Sequence, residues 1–257
     1  MNFEYFIAKR IVSAKEYKNS ISSPIIKIAI LSIVIGFVTM LISIASGVGL
    51  QNKIYQKVSA FNGDIIISNF DTNFSDDSQN PISTIQGFYP TFSSIKGIQH
   101  IQATASKGGV IRTPNKFEGV VVKGVGKDYD WNYFNEFLIS GSLPDYSHIL
   151  TNKILISEYT STRLNLKVGD KLNTFFFNSD NSKLPRSRSF KVSGIYNSGF
   201  NEFDEKFVIA DIRHIQRLNK WSENEIGSYE VFVEEFSKID QIGNEVYNEV
   251  GSFLDSQ

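Results

Sequence analysis

Residues 25–50 read IIKIAILSIVIGFVTMLISIASGVGL, with no charge between Lys27 and Lys53. A helix of about 20 apolar residues crosses the hydrocarbon core of a bilayer, so this run can span a membrane with some tilt to spare. Lys9, Arg10, Lys15, Lys18 and Lys27 lie on its amino side, whereas only Lys53 and Lys57 follow closely. The positive-inside bias therefore puts the amino end in the cytoplasm and Gln51 onward outside. A cleaved signal peptide is the rival reading, because Ser43, Ala45 and Gly47 are small enough for a cleavage site. Against it stand a long basic lead and an apolar run exceeding the usual signal core of about 7 to 15 residues.

Working outward, Ser32, Gly36, Thr39, Ser43 and Gly47 recur at steps of three or four along one side of this helix. Such spacing lets a second helix backbone approach closely, which is how helices associate in lipid; Gly and Ser are also simply common in membrane helices. Gly36, Met40, Ser43 and Gly47 are the candidate packing or cavity face. Before the span, MNFEYFIAKRIVSAKEYK places Phe3, Phe6, Ile7, Arg10 and Ile11 on one side at helical steps, the pattern of a helix lying in the headgroup boundary. After it, Ile54, Val58 and Phe61 keep helical spacing until Gly63, so the span continues outward as a stalk. The expected division is a cytoplasmic amphipathic segment at 1–23, a transmembrane helix at 24–50, a stalk helix at 51–62 and an external core domain at 63–257.

Beyond the stalk remain about 200 residues, enough for one domain or two small lobes. The net charge of -1 gives no basic stripe for nucleic acid. With no cysteine, disulfides, thiolate metal sites and a thiol nucleophile are all excluded. GDIIISNF (63–70) reads as a buried first strand and YPTFSSIKGI (89–98) as a short helix with a Gly stop. HIQATASKGGVIRT and FEGVVVKGVG form an antiparallel pair around Thr113, Pro114 and Asn115. DYDWNYF is a short helix or a turn. KILISEYTSTRLNLKVGDKLNTFFFN gives strand, helix from Ser157 to Leu164, turn and strand; SFKVSGIYN and EKFVIADI are further strands, making a β-rich lobe at about 140–205. DIRHIQRLNKW is a helix capped by Asp211, SYEVFVEEF an alternating strand, and SKIDQIGNEVYNEVGSFL an amphipathic helix. The fold class is α+β.

Catalytic chemistry is missing. KGVGKDYD imitates a phosphate loop through Gly124, Gly126 and Lys127, but Val121 occupies the first glycine position and Asp128 follows the lysine, where a hydroxyl is required. His100, His148 and His214 are isolated, with no second ligand at metal spacing. No G-x-S-x-G elbow occurs. Glu202, Asp204 and Glu205, like Glu234 and Glu235, read as solvated edges. The chain is expected to be neither an enzyme nor a metal or cofactor binder.

The order of these landmarks resembles the membrane subunits of MacB-type ABC transporters over nearly the whole chain, and most of all the lipoprotein-releasing permeases of the LolC and LolE type. The most specific stretch is ILISEYTSTRLNLKVGDKL, where such proteins carry Leu-x-(Val/Leu)-x-x-Gly-Asp, followed by SFKVSGIYNSG. Here Gly169 and Asp170 make a tight turn into the next strand, while Ser157 and Asn165 stand where relatives often have Gly. The resemblance implies a MacB-like periplasmic core domain of two lobes behind one transmembrane helix, in the bacterial inner membrane. Its partners would be a cytoplasmic ABC ATPase, a second permease subunit in a homo- or heterodimer, lipoprotein cargo, a periplasmic lipoprotein carrier and membrane lipid.

It further implies a four-crossing permease, against which this one-crossing chain reads as truncated. A carrier-binding hook is expected at NSDNSKLPRSRSF, formed by Lys183, Leu184, Pro185, Arg186 and Arg188, with Leu184 as apolar anchor and the arginines as planar donors. The function implied is release of lipoproteins from the membrane, driven by ATP hydrolysis elsewhere. MacB-like efflux, FtsX-like regulation of cell-wall hydrolases, and a stand-alone anchored sensor are the other readings.

Overall fold

A helix of 41 residues, α2 (Ser22–Asn62), carries the whole apolar run and continues to Asn62. The computed structural model describes residues 3–13, 22–70, 77–177 and 184–254. The chain divides into two units, Met1–Gln56 and Lys57–Gln257. In the first, α1 (Phe3–Ser13) exposes Phe3, Phe6 and Ile7, and α2 exposes its apolar side chains all round, as a lipid-facing helix does. Hydroxyls are tolerated there because Ser32 donates to the Ile28 carbonyl at 2.9 Å and Thr39 to the Ile35 carbonyl at 2.8 Å. Lys15 and Lys18, placed on the surface helix by the sequence, lie outside the described residues.

In the second unit the chain runs through β1 (Ile65–Ser68), β2 (Ile82–Ser83), β3 (Ile98–Arg112), β4 (Phe117–Val125), α3 (Asn132–Phe137) and β5 (Leu138–Gly141). There follow β6 (Lys153–Ser157), α4 (Glu158–Leu164), β7 (Lys171–Phe176), β8 (Arg186–Tyr196), α5 (Asn201–Asp204) and β9 (Phe207–Asp211). The last elements are α6 (Ile212–Asn219), β10 (Glu225–Ile226), β11 (Ser228–Val233) and α7 (Ile239–Leu254).

The 15-residue strand β3 joins two regions of one sheet. One edge of its second half pairs with β4; the other edge pairs with β11 at the start and with β7 at the end. From β4 the pairing passes to β9, β6, β8 and β7, and so returns to β3, closing six strands into a ring. Closure removes the unpaired edges that a free β6–β8 segment would expose. The stretch 140–205 thus supplies only β6, β7 and β8 of the ring, and borrows β3, β4 and β9 from outside the expected lobe limits. Ile111, Ile154, Ile156, Phe176, Phe190 and Val208 fill its core.

Several local expectations change. Residues 89–97 form turns and bends rather than a helix: so short a helix is marginal, and Phe88, Phe92 and Ile95 are buried individually in the core instead. Strand β1 is half-exposed, because it lies at the sheet edge with only β11 beside it. β11 is buried on both faces rather than alternating, since β1 and β3 flank it and other elements cover it. Asp204 is buried, not solvated: its Oδ1 accepts from the Ser198 amide at 3.1 Å and the Ser198 hydroxyl at 2.8 Å.

Candidate functional site

The last turns of α2 belong to the second unit and end in an aromatic socket. Phe61 is buried, its ring stacked on Phe203 (centroids 4.7 Å apart, 5° between planes) and on Phe137, and tilted against Phe134 and Tyr196. Aromatic rings in such offset and edge arrangements gain beyond simple burial. One turn earlier, the Lys57 ammonium donates to the Ser198 carbonyl at 3.0 Å and sits over the rings of Phe137 and Phe200. Gly63, at φ +67, reverses the chain, and its amide donates to the Ser59 carbonyl at 2.7 Å. A side chain there would lie 2.8 Å from Glu230 Cβ.

Beneath the socket sits a buried ion pair. Lys123 of β4 is 2% exposed and Glu230 of β11 5% exposed, with Nζ and Oε1 2.5 Å apart. The Lys123 ammonium also donates to the Phe61 carbonyl. Gln102 donates to Glu230 Oε2 at 2.9 Å, so the carboxylate is satisfied on both oxygens. Nearby, burial pushes the Tyr129 phenol well above its ordinary value, reinforced by the Glu230 charge; it stays neutral and points at the Ala60 carbonyl.

At the end of the ring formed by the β3–β4 and β7–β8 hairpins, a groove of about 740 Å³ opens beside Val110, Pro114, Phe117, Phe175, Phe177, Leu184 and Pro185. Leu184 is 89% exposed, Phe117 76% and Phe177 60%. Arg112 and Lys116 border it. They also border a polar cleft of about 620 Å³ on the other side of the β3–β4 turn, next to Asn165 and Asp170. Single exposed apolar side chains are ordinary; a contiguous group of aromatics marks an interaction surface.

The family model for the MacB-like periplasmic core domain matches residues 28–246. This chain belongs to that family. Its domain is thus the periplasmic core domain of a MacB-like ABC transporter permease, a family that implies a cytoplasmic ATPase partner, and α2 is long and apolar enough to cross a membrane. Among solved structures, the MacB-like chain is similar to the extracellular domain of the noncanonic ABC-type transporter YknZ from Gram-positive bacteria (12% identity, TM-score 0.44, 73% of this chain and 95% of that one). It is also similar to the periplasmic region of MacB from Actinobacillus actinomycetemcomitans (16% identity, TM-score 0.46, 72% and 83%). A permease-protein domain from Porphyromonas gingivalis is similar at 15% identity and TM-score 0.36, over 62% and 66%. The comparison with curated proteins returned no match.

Within this MacB-like domain the expected hook residues are placed as follows. Lys183 lies outside the described residues. Leu184 and Pro185 line the apolar groove. Arg186 opens β8 opposite Phe176, and its Nη1 donates to the Leu218 carbonyl at 2.6 Å, capping α6. Arg188 follows on the same side of β8, and its Nη1 donates to the Ser187 carbonyl at 3.0 Å. On α2, Gly36, Met40, Ser43 and Gly47 are exposed, and a Cβ added at either glycine would meet nothing within 4 Å.

The glycines of KGVGKDYD have a packing reason. A Cβ at Gly124 would lie 2.7 Å from Ile215 Cδ1 and 2.8 Å from Ile212 Cα, so the lack of a side chain lets α6 close on β4. Asp128 accepts from the Tyr89 hydroxyl at 3.1 Å and the Ala103 amide at 2.5 Å, a structural use. His214 is buried against Phe190 and hydrogen-bonded to the Thr151 carbonyl. Among the described residues no group of three His, Cys, Asp or Glu is placed to hold a metal ion.

Sequence reading passed over the socket and its ion pair. A signal was present: Lys123 and Glu230 are single charges of opposite sign inside the apolar strands VVVKGV and SYEVFV. Lone charges in buried strands demand a partner.

Proposed function

We propose that this chain is the transmembrane subunit of an ABC transporter that releases lipoproteins from the inner membrane. Its amino end is cytoplasmic and its domain periplasmic, and it works without catalysis or cofactor of its own. A cytoplasmic ATPase and a second permease subunit complete the machine, and ATP hydrolysis displaces α2, which carries the movement to the sheet. The face with Gly36, Met40, Ser43 and Gly47 turns toward a neighbouring helix or the cargo. The observation that carries the coupling reading is the seating of Phe61: a helix that also spans lipid ends in a packed socket rather than a flexible linker.

The choice of lipoprotein rests on the resemblance of the 154–172 and 189–199 stretches to lipoprotein-releasing permeases, and on the apolar groove at Leu184 and Pro185. There a soluble periplasmic carrier would dock, with Phe117, Phe177 and Leu184 as anchors and Arg112 on the rim. Buried anchors of this kind cost about 2 kcal/mol or more when lost, or about 30-fold in affinity. The test is ATP-driven transfer of an acylated lipoprotein from proteoliposomes to purified carrier by the complete transporter. Leu184→Asp with Phe177→Asp, both at exposed positions, should abolish capture of the carrier while leaving the melting temperature unchanged. The family match supports a MacB-like efflux pump equally well; ATP-driven export of a small amphiphile, with no lipoprotein released, would establish that reading instead.

A further inference from the structure

We infer that Lys123, held by Glu230, is a positioning latch that fixes the end of the stalk to the sheet. Displacement of α2 then reaches β4 and β11 instead of being lost in unwinding of the last helical turn. This rests on the coupling role proposed above.

The last four carbonyls of a helix have no partners within it, and the negative end of the helix dipole favours a cation there. In α2 three of these carbonyls meet partners beyond the helix end. Ser59 accepts from the Gly63 amide, Ala60 lies 3.5 Å from the Tyr129 hydroxyl, and Phe61 accepts from the Lys123 ammonium. Lys123 faces Ser106, and Glu230 faces Gln102, across the intervening strand β3, so the pair bridges three strands. Immediately beyond, Asp64 donates its amide to the Val231 carbonyl, and its carboxylate accepts from the Val233 amide at 2.7 Å. The stalk end is thereby tied to both strands that flank β3.

A well-packed apolar pair would hold such a core together at least as well, since burying two charges costs desolvation that their attraction barely repays. The surrounding socket shows that apolar packing was available here. What an apolar pair cannot do is bind one particular carbonyl. The ammonium selects the Phe61 oxygen, and Glu230, itself held by Gln102 and Thr104, sets where the ammonium lies. Direction and register of the helix end follow from that geometry.

The experiment uses the complete transporter with its ATPase in proteoliposomes, comparing wild type with Lys123→Met/Glu230→Met, which removes both charges at similar volume. The expected result is an unchanged ATPase rate and melting temperature, with hydrogen exchange at the amides of residues 59–64 faster by about tenfold. Cargo moved per ATP should fall at least several-fold, a loss that a role confined to holding the fold would not produce. Unchanged exchange together with unchanged cargo per ATP overturns the latch. Should the double variant fail to fold, Lys123→Met/Glu230→Gln, which removes the bond to the Phe61 carbonyl and leaves no unpaired buried charge, is measured in the same two ways, and unchanged values of both again overturn the latch. If the wild-type complex moves a cargo other than lipoprotein, the ratio is read on that cargo, so failure of the lipoprotein reading and failure of the latch remain distinct.

Discussion

Asn165 ends α4 in the left-handed conformation, φ 56° and ψ 48°, with its amide on the Ser161 carbonyl. Relatives' preference for Gly at this place leaves the helix end uncertain from sequence; Asn tolerates the conformation better than other residues with a Cβ, and the end is regular. Ser157, the other departure, caps the same helix by accepting from the Thr160 amide. Phe61 is the residue whose loss should matter most for stability. Phe61→Ala removes a fully buried ring with four aromatic neighbours and should cost about 3–5 kcal/mol, measured by urea unfolding of the detergent-solubilised chain. His214 gives a pH dependence. Burial lowers its pKa below the ordinary value of 6.5, outweighing the bond to the Thr151 carbonyl and the nearby Asp211, with Arg188 and Arg217 adding to the lowering. The unfolded chain therefore takes up a proton before the folded one does. Its stabilising effect is complete above about pH 6.5 and declines as pH falls toward the lowered value. The melting temperature should drop between pH 7.5 and 5, and drop less in His214→Gln.

Among the elements, α6 shows how far local reading reaches. Its cap was legible, since an Asp before IRHIQRLN is a strong start signal, and Asp211 does accept from the Arg213 amide at 3.0 Å. Its depth of packing was not legible, because Gly124, which lets it approach β4, looks in sequence like part of a phosphate loop. Gly124→Ala should push the helix away and destabilise by about 1–3 kcal/mol, with no change in nucleotide affinity, as calorimetry with ATP would show. The β3–β4 hairpin was readable from its turn residues, and Thr113 and Lys116 close it with backbone and hydroxyl bonds. Residues 89–97 misled because apolar spacing of four and three suits a helix as well as it suits a turn whose side chains are buried one at a time.

For the molecule as a whole, the decisive property is the continuity of α2 from Ser22 to Asn62. Asn52→Pro would remove a hydrogen bond in its interior and kink it at a cost of about 3 kcal/mol. On the coupling reading, ATP hydrolysis should then continue while cargo transfer stops, measured side by side in proteoliposomes. Orientation has its own test. Protease added to intact spheroplasts should cut within residues 63–257 and spare the amino tip; the reverse pattern would invert the topology and remove the proposed function. The division into lobes belongs at this scale too, because ring closure through β3, β4 and β9 joins strands far apart in sequence.

Sequence by itself determined what depends on neighbours within a few residues. These are a membrane-length apolar helix, the order and type of most strands and helices, and the turn at Gly169 and Asp170, because periodicity, capping and turn chemistry are local. Only the tertiary structure decided that the strands close into a ring, that Lys123 meets Glu230 and the Phe61 carbonyl, that Arg186 is spent on α6, and that Phe117, Phe177 and Leu184 share one groove. Each of those depends on which distant strands pair, and that is set by burial of the whole core rather than by any single stretch of chain.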